Sequence, residues 1–409
     1  MKSSCMNVAA MNVAGFVSLV MVLGVGLVDP AVADEEEARM VEELPAAVEE
    51  EERPRARDMG IEPGVLPPGD LNAITDIPGV GVGHISLISG EDVRTGVTAI
   101  RPHEGNIFQN KVPAGVYTAN GFGKASGFEQ VRELGNLESP ILLTNTLNVG
   151  TAVEAGARWI LSQPGNDDVR SANVVVGETN DGYLNDIRGQ HVRSQHVIAA
   201  IEGAESGPVA EGNVGAGTGT RAFGFKSGIG TASRELPESL GGWKLGVLVQ
   251  ANFGGVLSMD GVRVGEKLGG YSFEEELAGD AELSAEEEGG SIMVVIATDA
   301  PVHERNLERV ARRAALGIGR TGGFMSNGSG DFMIAFSTAG HIQHDDPEEG
   351  RRRATLNDHA MDPLFMATVE ATEEAIYNSL LQAETMEGRD GNRMEALPLD
   401  KLEELFESR

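Results

Sequence analysis

Short apolar segments separated by glycine-rich turns recur from residue 61 onward and predict a core built largely from strands. Runs of three to eight mainly apolar residues between turn formers are typical of buried strands. Seven segments fit this description: residues 95–100, 114–119, 141–144, 174–176, 245–250, 291–298 and 332–336. The alternating glycines of residues 77–84 also suit a strand, because no Lys-Ser/Thr pair follows them to complete a phosphate loop.

Three other stretches carry the apolar spacing of helices that pack one face against a core. The first opens at residues 145–148, whose polar side chains suit an N-terminal cap, and continues through Ile160. The second follows Pro301 and ends near Gly317, and the third covers residues 363–382. Strands interleaved with helices predict a mixed α/β fold.

The sharpest change of pattern lies between Gly290 and Ser291. Residues 274–290 are acidic, contain glycine and predict an exposed, flexible linker, whereas residues 292–297 are all apolar. If the bond between Gly290 and Ser291 were cut, Ser291 would carry a nucleophilic hydroxyl and a free α-amine. An α-amine has an ordinary pKa of about 7.7–8.0 and could act as the base. A Gly-Ser pair by itself also fits a loop that ends at an ordinary strand.

Polar residues cluster where several predicted strands end. Residues 177–186 are either a solvated turn or a pocket wall, and the Gly/Thr run 213–220 indicates close backbone approach. Asn252 could donate to a developing oxyanion or could form a turn before glycine. Ser329 and Asp331 are two residues apart on an extended segment, so both side chains could face one site.

Composition narrows the classes of partner. A net charge of −31 with no basic cluster argues against nucleic acid. The single cysteine, Cys5, lies in the segment that we expect to be removed, which leaves no disulfide in the mature chain. His341, His344, Asp345 and Asp346 have metal-ligand chemistry, but their polar surroundings favour a solvated or interfacial loop, and we expect no metal and no cofactor.

The N-terminus has the pattern of a secretory signal. Lys2 precedes an apolar run over residues 13–28, and Ala31-Val32-Ala33 forms an A-x-A cleavage site. We expect a signal peptide over residues 1–33, and the alternative for this segment is a membrane anchor. The mature protein is then expected to be periplasmic or secreted, without stable membrane association. Residues 34–60 are predicted to be an acidic, disordered leader.

Five motifs in order resemble those of the self-processing aminopeptidases that include L-aminopeptidase/D-esterase and β-aminopeptidases. They are Gly-Glu-Thr-Asn-Asp-Gly-Tyr-Leu-Asn-Asp (177–186), Gly-Ala-Gly-Thr-Gly-Thr (215–220), Gln-Ala-Asn-Phe-Gly-Gly (250–255), Gly-Ser-Ile-Met-Val-Val-Ile-Ala-Thr-Asp-Ala-Pro (290–301) and Ser-Asn-Gly-Ser-Gly-Asp (326–331). The resemblance covers roughly residues 60 to 380. It implies a four-layer αββα sandwich, related to N-terminal-nucleophile hydrolases but distinct in topology. It also implies self-cleavage into an α chain, residues 61–290, and a β chain, residues 291–409.

The resemblance also implies roles for individual residues. Ser291 would be the nucleophile, Tyr183 and Asn252 would stabilise the tetrahedral intermediate, and Ser329 with Asp331 would orient the serine. Some relatives carry Glu at the position of Asp331. The expected assembly is a homo-oligomer of four αβ units.

The expected substrates are small peptides, amides or esters with a free N-terminal amine. Such an amine needs an anion near the scissile bond, for which Glu178 is the candidate and its neighbour Asp181 the less favoured choice. Two other functions stay open at this point. One is an acyltransferase of the ornithine acetyltransferase type, which generally uses Thr where this chain has Ser291, and the other is a periplasmic small-ligand binder without catalysis.

Overall fold

The computed structural model describes residues 53–279, 290–345 and 355–408. The strands within these ranges are β1 Gly81–Ser89, β2 Val93–Arg101, β3 Asn110–Gly121, β4 Asn136–Leu137, β5 Ile141–Asn145, β6 Val175–Thr179, β7 Arg221–Ala222, β8 Phe225–Lys226, β9 Ile229–Glu235, β10 Lys244–Asn252, β11 Ser291–Thr298, β12 Gly330–Ser337, β13 Ile342–Gln343, β14 Met386–Glu387 and β15 Arg393–Met394. The α-helices are α1 Phe128–Leu134, α2 Val149–Leu161, α3 Ser194–Glu202, α4 Val264–Leu268, α5 Glu274–Ala278, α6 Glu304–Arg320, α7 Asp362–Leu381 and α8 Leu399–Glu407.

Two sheets contain most of the long strands. The first sheet has the order β1-β2-β5-β6, and the second has the order β13-β3-β12-β11-β10-β9 with β4 beside β3. The pairs β5/β6 and β11/β12 are parallel, whereas β10/β11, β9/β10 and β3/β12 are antiparallel. The strand that begins at Ser291 therefore lies inside the second sheet, between β10 and β12.

The two sheets pack face to face between two layers of helices. Residues 293, 295 and 297 of β11 join the apolar core between the sheets, whereas residues 292, 294 and 296 pack with α6 and α7. The outer face of the first sheet packs with α2 and α3. Because β11 is buried on both faces, its sequence is a continuous apolar run rather than an alternating one. This arrangement confirms the predicted αββα sandwich.

All seven predicted strands are present, and the three predicted helices correspond to α2, α6 and α7. The helix α2 begins as expected, with the Asn145 side chain accepting hydrogen bonds from the backbone of the turn that precedes it. The strand β9 escapes prediction because it is short on large apolar residues and contains a buried arginine, Arg234. In the described ranges, no helix is long and apolar enough to cross a membrane.

Buried ion pairs explain how Arg234 can lie in the interior. Arg234 is fully buried and pairs with Glu374 at 2.8 Å and with Glu370 at 3.2 Å, both on α7. Arg57 adds a second cation to Glu374 at 2.9 Å. A cluster of opposite charges thus joins β9 and the N-terminal segment to α7, and burial of each charge depends on its partners.

The prediction of a disordered leader is wrong for residues 53–60. Arg53 donates to the carbonyl oxygens of Leu381 and Leu397 at 2.6 and 2.8 Å, and Ala56 is fully buried. The charge of this segment suggested solvation, but its arginines find acceptors on the domain. The folded domain therefore begins by residue 53, and residues 1–52, on which the predicted signal peptide and the rest of the predicted leader fall, lie outside the described residues.

Two further expectations change in detail. The acidic linker opens with a short helix, α5, and its residues 280–289 lie outside the described ranges. The histidine-rich loop contributes strand β13 to the sheet edge, and its His341 and His344 rings contact His103 and Phe108. Among the described residues, no group of three or more His, Cys, Asp or Glu side chains is placed to hold a metal ion.

Candidate active site

Ser291 is the first residue of β11, and its neighbours on both sides fix its position. Asn252 lies opposite it on β10, and Gly330 lies opposite it on β12. The Gly330 N–H points at the Ser291 Oγ, with a nitrogen-to-oxygen distance of 3.2 Å. Ser291 is buried, so its hydroxyl is held within the sheet rather than on a mobile loop.

The peptide bond before Ser291 shares the same donor. The Gly290 carbonyl oxygen accepts a hydrogen bond of 3.2 Å from the Gly330 N–H. A side chain at residue 290 would place its Cβ 2.7 Å from the Phe253 Cα, so glycine is required by space. One backbone N–H therefore contacts both Ser291 Oγ and the carbonyl oxygen of the bond predicted to be cleaved.

Ser329 and Asp331 flank that donor in sequence, and their side chains meet. The Ser329 hydroxyl donates to Asp331 Oδ1 at 2.8 Å, and both residues are buried. Within the described ranges, the second Asp331 oxygen has no hydrogen-bond partner. Burial raises the pKa of Asp331 to about 6, against the lowering effect of the Ser329 hydrogen bond.

Asn252 has a defined amide orientation. Its Oδ1 accepts a hydrogen bond of 3.1 Å from the Arg221 N–H, so the amide NH₂ is the group left to donate, and among the residues that the structure describes it has no acceptor. The Arg221 guanidinium lies over the ring of Tyr183, 4.1 Å from the ring centroid. Arg221 and Asn252 line a small cavity together with Gly290. The two residues predicted to stabilise an oxyanion thus meet through Arg221, beside the bond that precedes Ser291.

Glu178 is buried with both carboxylate oxygens engaged. Oε1 accepts from the Lys124 N–H at 3.0 Å, and Oε2 accepts from the Thr146 hydroxyl. The turn that contains Lys124 also contacts the segment of Ser329, since the Phe122 N–H donates to the Ser329 carbonyl at 3.2 Å. Glu178 is therefore a fixed acceptor on the wall next to Ser329.

Asp181 is directed elsewhere. Its Oδ1 accepts from the Asn185 amide at 2.9 Å, and hydrogen bonds with Thr95 and Asn145 complete its surroundings. Burial raises the pKa of Asp181 to about 7 despite these contacts. A carboxyl group enclosed by side chains of its own polar cluster is suited to hold the loop 179–186 in shape.

Gln250 links the two sheets at the site. Its Nε2 lies within hydrogen-bond distance of the Thr144 carbonyl, the Thr179 hydroxyl and the Ala216 carbonyl, at 3.1, 2.9 and 2.9 Å. Thr179 immediately follows Glu178, and Gln250 lies two residues before Asn252. This buried amide therefore sets the spacing between the Glu178 wall and the strand that contains Asn252.

Sequence patterns do not predict a role for two residues of the site, Gln250 and Arg221. Gln250 lies in the motif of residues 250–255, and Arg221 directly follows the run 215–220. A long polar side chain at the end of an apolar strand was the available signal for Gln250. Nothing in the sequence pairs Arg221 with Tyr183.

The model of peptidase family S58 matches residues 72–394 of this chain. The chain belongs to peptidase family S58. The β-peptidyl aminopeptidase BapA of Sphingosinicella microcystinivorans is 43% identical over 366 residues, which cover 85% of this chain and 90% of the relative.

Solved structures of similar proteins agree with the S58 assignment. The PH0078 protein from Pyrococcus horikoshii OT3 is 47% identical with a TM-score of 0.79, covering 87% of this chain and 99% of that protein. The L-aminopeptidase D-Ala-esterase/amidase from Ochrobactrum anthropi is 38% identical with a TM-score of 0.78 and the same coverage, and is described as a prototype of the serine aminopeptidases and a variant of the Ntn hydrolase fold. This S58 chain is therefore a serine aminopeptidase, and the acyltransferase and binding-protein alternatives are set aside.

Proposed function

We propose that this S58 aminopeptidase cleaves its own chain between Gly290 and Ser291 and then hydrolyses substrates through an acyl-enzyme on Ser291. The observation that carries the proposal is the position of Ser291 at the start of a buried strand, with the Gly330 N–H contacting both Ser291 Oγ and the Gly290 carbonyl oxygen. A nucleophile and the carbonyl that it attacks share one fixed donor there.

Self-cleavage would proceed by transfer of the Gly290 acyl group from nitrogen to oxygen. Ser291 Oγ bonds to the Gly290 carbonyl carbon, the C–N bond breaks, and the hydroxyl proton passes to the new α-amine. Water then hydrolyses the ester, which frees the Gly290 carboxylate and restores the hydroxyl. The Gly330 N–H is placed to stabilise the charge on the Gly290 oxygen during the first step.

Substrate hydrolysis would use the products of that reaction. The freed α-amine of Ser291 accepts the hydroxyl proton as Oγ attacks the substrate carbonyl, and the leaving amine or alcohol takes a proton as it departs. The Asn252 amide and the Tyr183 hydroxyl are assigned to the oxyanion. The Ser329–Asp331 pair orients the nucleophile, and water resolves the acyl-enzyme.

The proposed substrates are small peptides, amides or esters that carry a free N-terminal amine. Glu178 is the proposed partner of that amine because it is a fixed carboxylate on the wall next to Ser329. The names of the relatives include β-peptidyl aminopeptidase and L-aminopeptidase D-Ala-esterase/amidase, which support this substrate class.

One experiment tests the cleavage and the nucleophile together. The purified protein should run as two fragments, and N-terminal sequencing of the smaller one should give Ser-Ile-Met-Val. Ser291→Ala should stay as one chain and should not hydrolyse an aminoacyl p-nitroanilide. A fully active protein that remains a single chain would rule the proposal out.

The location of the protein is also a proposal. The signal-peptide pattern over residues 1–33 supports export to the periplasm or the medium. Mass spectrometry of the exported α chain should find a start at or near Asp34. Retention of Met1 on cytoplasmic protein would contradict export.

The proposed assembly is a homo-oligomer of four αβ units. It rests on the family resemblance and on the polar segment around residues 341–353, which suits a contact between subunits. Light scattering should give a mass near four αβ units, and the mass of one unit would refute the assembly.

A further inference from the structure

Arg221 contacts both groups that the proposed function assigns to the oxyanion. Its backbone N–H fixes the Asn252 amide, and its guanidinium lies over the Tyr183 ring at 4.1 Å. Within the described ranges, no carboxylate lies within ion-pair distance of this guanidinium. Its charge is therefore directed at the face of the ring rather than neutralised by an acid.

A cation over an aromatic face has two effects on a tyrosine. It holds the ring in one orientation, since the attraction depends on the cation lying over the ring face. It also makes the phenol O–H a stronger hydrogen-bond donor. When the O–H donates in the transition state, negative charge develops on the phenol oxygen, and a nearby positive charge stabilises it. The backbone of Tyr183 is held separately, by the Asn392 amide that donates to its carbonyl at 2.8 Å.

We propose that Arg221 is a positioning residue for hydrolysis, which acts through Tyr183: the stacked guanidinium holds the phenol in place and strengthens it as a hydrogen-bond donor to the oxyanion. This inference rests on the proposed oxyanion role of Tyr183. The contact from the Arg221 backbone to Asn252 is independent of the side chain. A substitution at Arg221 therefore changes the stacking and leaves the Asn252 hydrogen bond available.

A double-mutant cycle on the processed enzyme tests the coupling. Wild type, Arg221→Gln, Tyr183→Phe and the double variant are compared on one aminoacyl p-nitroanilide. Arg221→Gln should lower kcat about tenfold with little change in KM, in line with the strength of a partly buried cation–π contact. In the Tyr183→Phe background the same change should have almost no effect, because the hydroxyl through which Arg221 acts is gone.

Two controls separate this effect from a fault in folding. Arg188→Gln removes an exposed arginine from the same part of the chain and should leave kcat unchanged. Arg221→Lys keeps the cation without the planar stack and should recover part of the loss. Every variant should be cut into the two fragments as the wild type is, which shows that the domain has folded. If Arg221→Gln does not fold, Arg221→Lys carries the cycle.

The outcomes also distinguish this inference from the proposed function. If Arg221→Gln lowers kcat by the same factor with and without the Tyr183 hydroxyl, or leaves kcat unchanged, the inference is overturned while the proposed function stands. If Tyr183→Phe itself turns over like wild type, the oxyanion assignment fails first, and the role of Arg221 fails with it.

Discussion

The Ser329 hydroxyl donates a hydrogen bond of 2.8 Å to Asp331, whose other carboxylate oxygen is buried without a partner among the described residues. A carboxylate with one oxygen unsatisfied is costly to keep ionised away from water. Burial accordingly raises the pKa of Asp331 from 3.8 to about 6. Burial in the folded protein thus disfavours the ionised form of this carboxyl group.

The first prediction is a pH dependence of stability that belongs to Asp331. Between pH 3.8 and about 6 the folded protein holds a proton that the unfolded chain releases, so this contribution to stability falls as the pH rises through that window. Relative to Asp331→Asn, the chain with Asp331 should gain about 1 kcal/mol in free energy of unfolding between pH 8 and pH 5.

Urea unfolding in the Ser291→Ala background measures this gain on a chain that stays in one piece. Asp168→Asn, which alters an exposed aspartate, serves as the control for general effects of charge. Parallel stability curves for the chains with and without Asp331 would contradict the raised pKa.

The second prediction separates making the nucleophile from using it. Asn252→Ala and Tyr183→Phe should lower kcat for hydrolysis by roughly 10²–10³, the usual effect of losing an oxyanion donor. Cleavage before Ser291 should persist in both variants, because the Gly330 N–H already contacts the Gly290 carbonyl oxygen. The comparison is kcat on a p-nitroanilide together with the extent of processing on a gel.

Asn327→Ala is the matched control for this pair, since it removes an exposed amide from the turn before Ser329. It should be processed and should turn over like the wild type. The division of labour would be refuted if both oxyanion variants stayed uncut.

The third prediction concerns recognition of the substrate amine. Glu178→Gln keeps the shape of the side chain but removes its charge, so KM for a substrate with a free amine should rise roughly tenfold or more. Asp181→Asn should leave KM nearly unchanged because Asp181 is enclosed by Asn185 and its neighbours. Steady-state kinetics of the two variants on the same dipeptide amide make the comparison, and a larger effect from Asp181 would reverse the assignment.

The fourth prediction concerns the buried charges that attach α7. Glu374→Gln leaves Arg57 and Arg234 without their shared carboxylate, and breaking such a buried pair typically costs about 3–5 kcal/mol. Glu154→Gln breaks the exposed pair with Arg158 and should cost about 1 kcal/mol or less. Urea unfolding in the Ser291→Ala background checks both values. Equal losses of free energy of unfolding in the two variants would show that the buried cluster stabilises the protein no more than an exposed ion pair does.

Local sequence was sufficient to place seven of the strands and to mark Ser291 as the candidate nucleophile. A strand buried on both faces requires an unbroken apolar run. Residues 292–297 can therefore be recognised as a buried strand from the sequence alone, without knowing which strands lie beside them. The change from an acidic linker to an apolar strand likewise identifies Ser291 as the first residue of that strand. Ser329 and Asp331 could be paired from sequence because alternate residues of an extended segment point the same way.

Only the tertiary structure decided which distant residues meet. Asn252 lies opposite Ser291 because of the register between β10 and β11. Arg221 and Tyr183 lie on segments that are distant in sequence and meet only in the folded chain, so the local hydrophobic pattern does not predict their contact. The choice between Glu178 and Asp181 depends on which carboxylate lines the wall near Ser329 and which is enclosed by its own cluster. A charged residue in the sequence predicts exposure to solvent, and two arginines show why this prediction fails. Arg234 is buried because it pairs with buried carboxylates, and Arg53 is half-buried because it donates to backbone carbonyl oxygens of the domain.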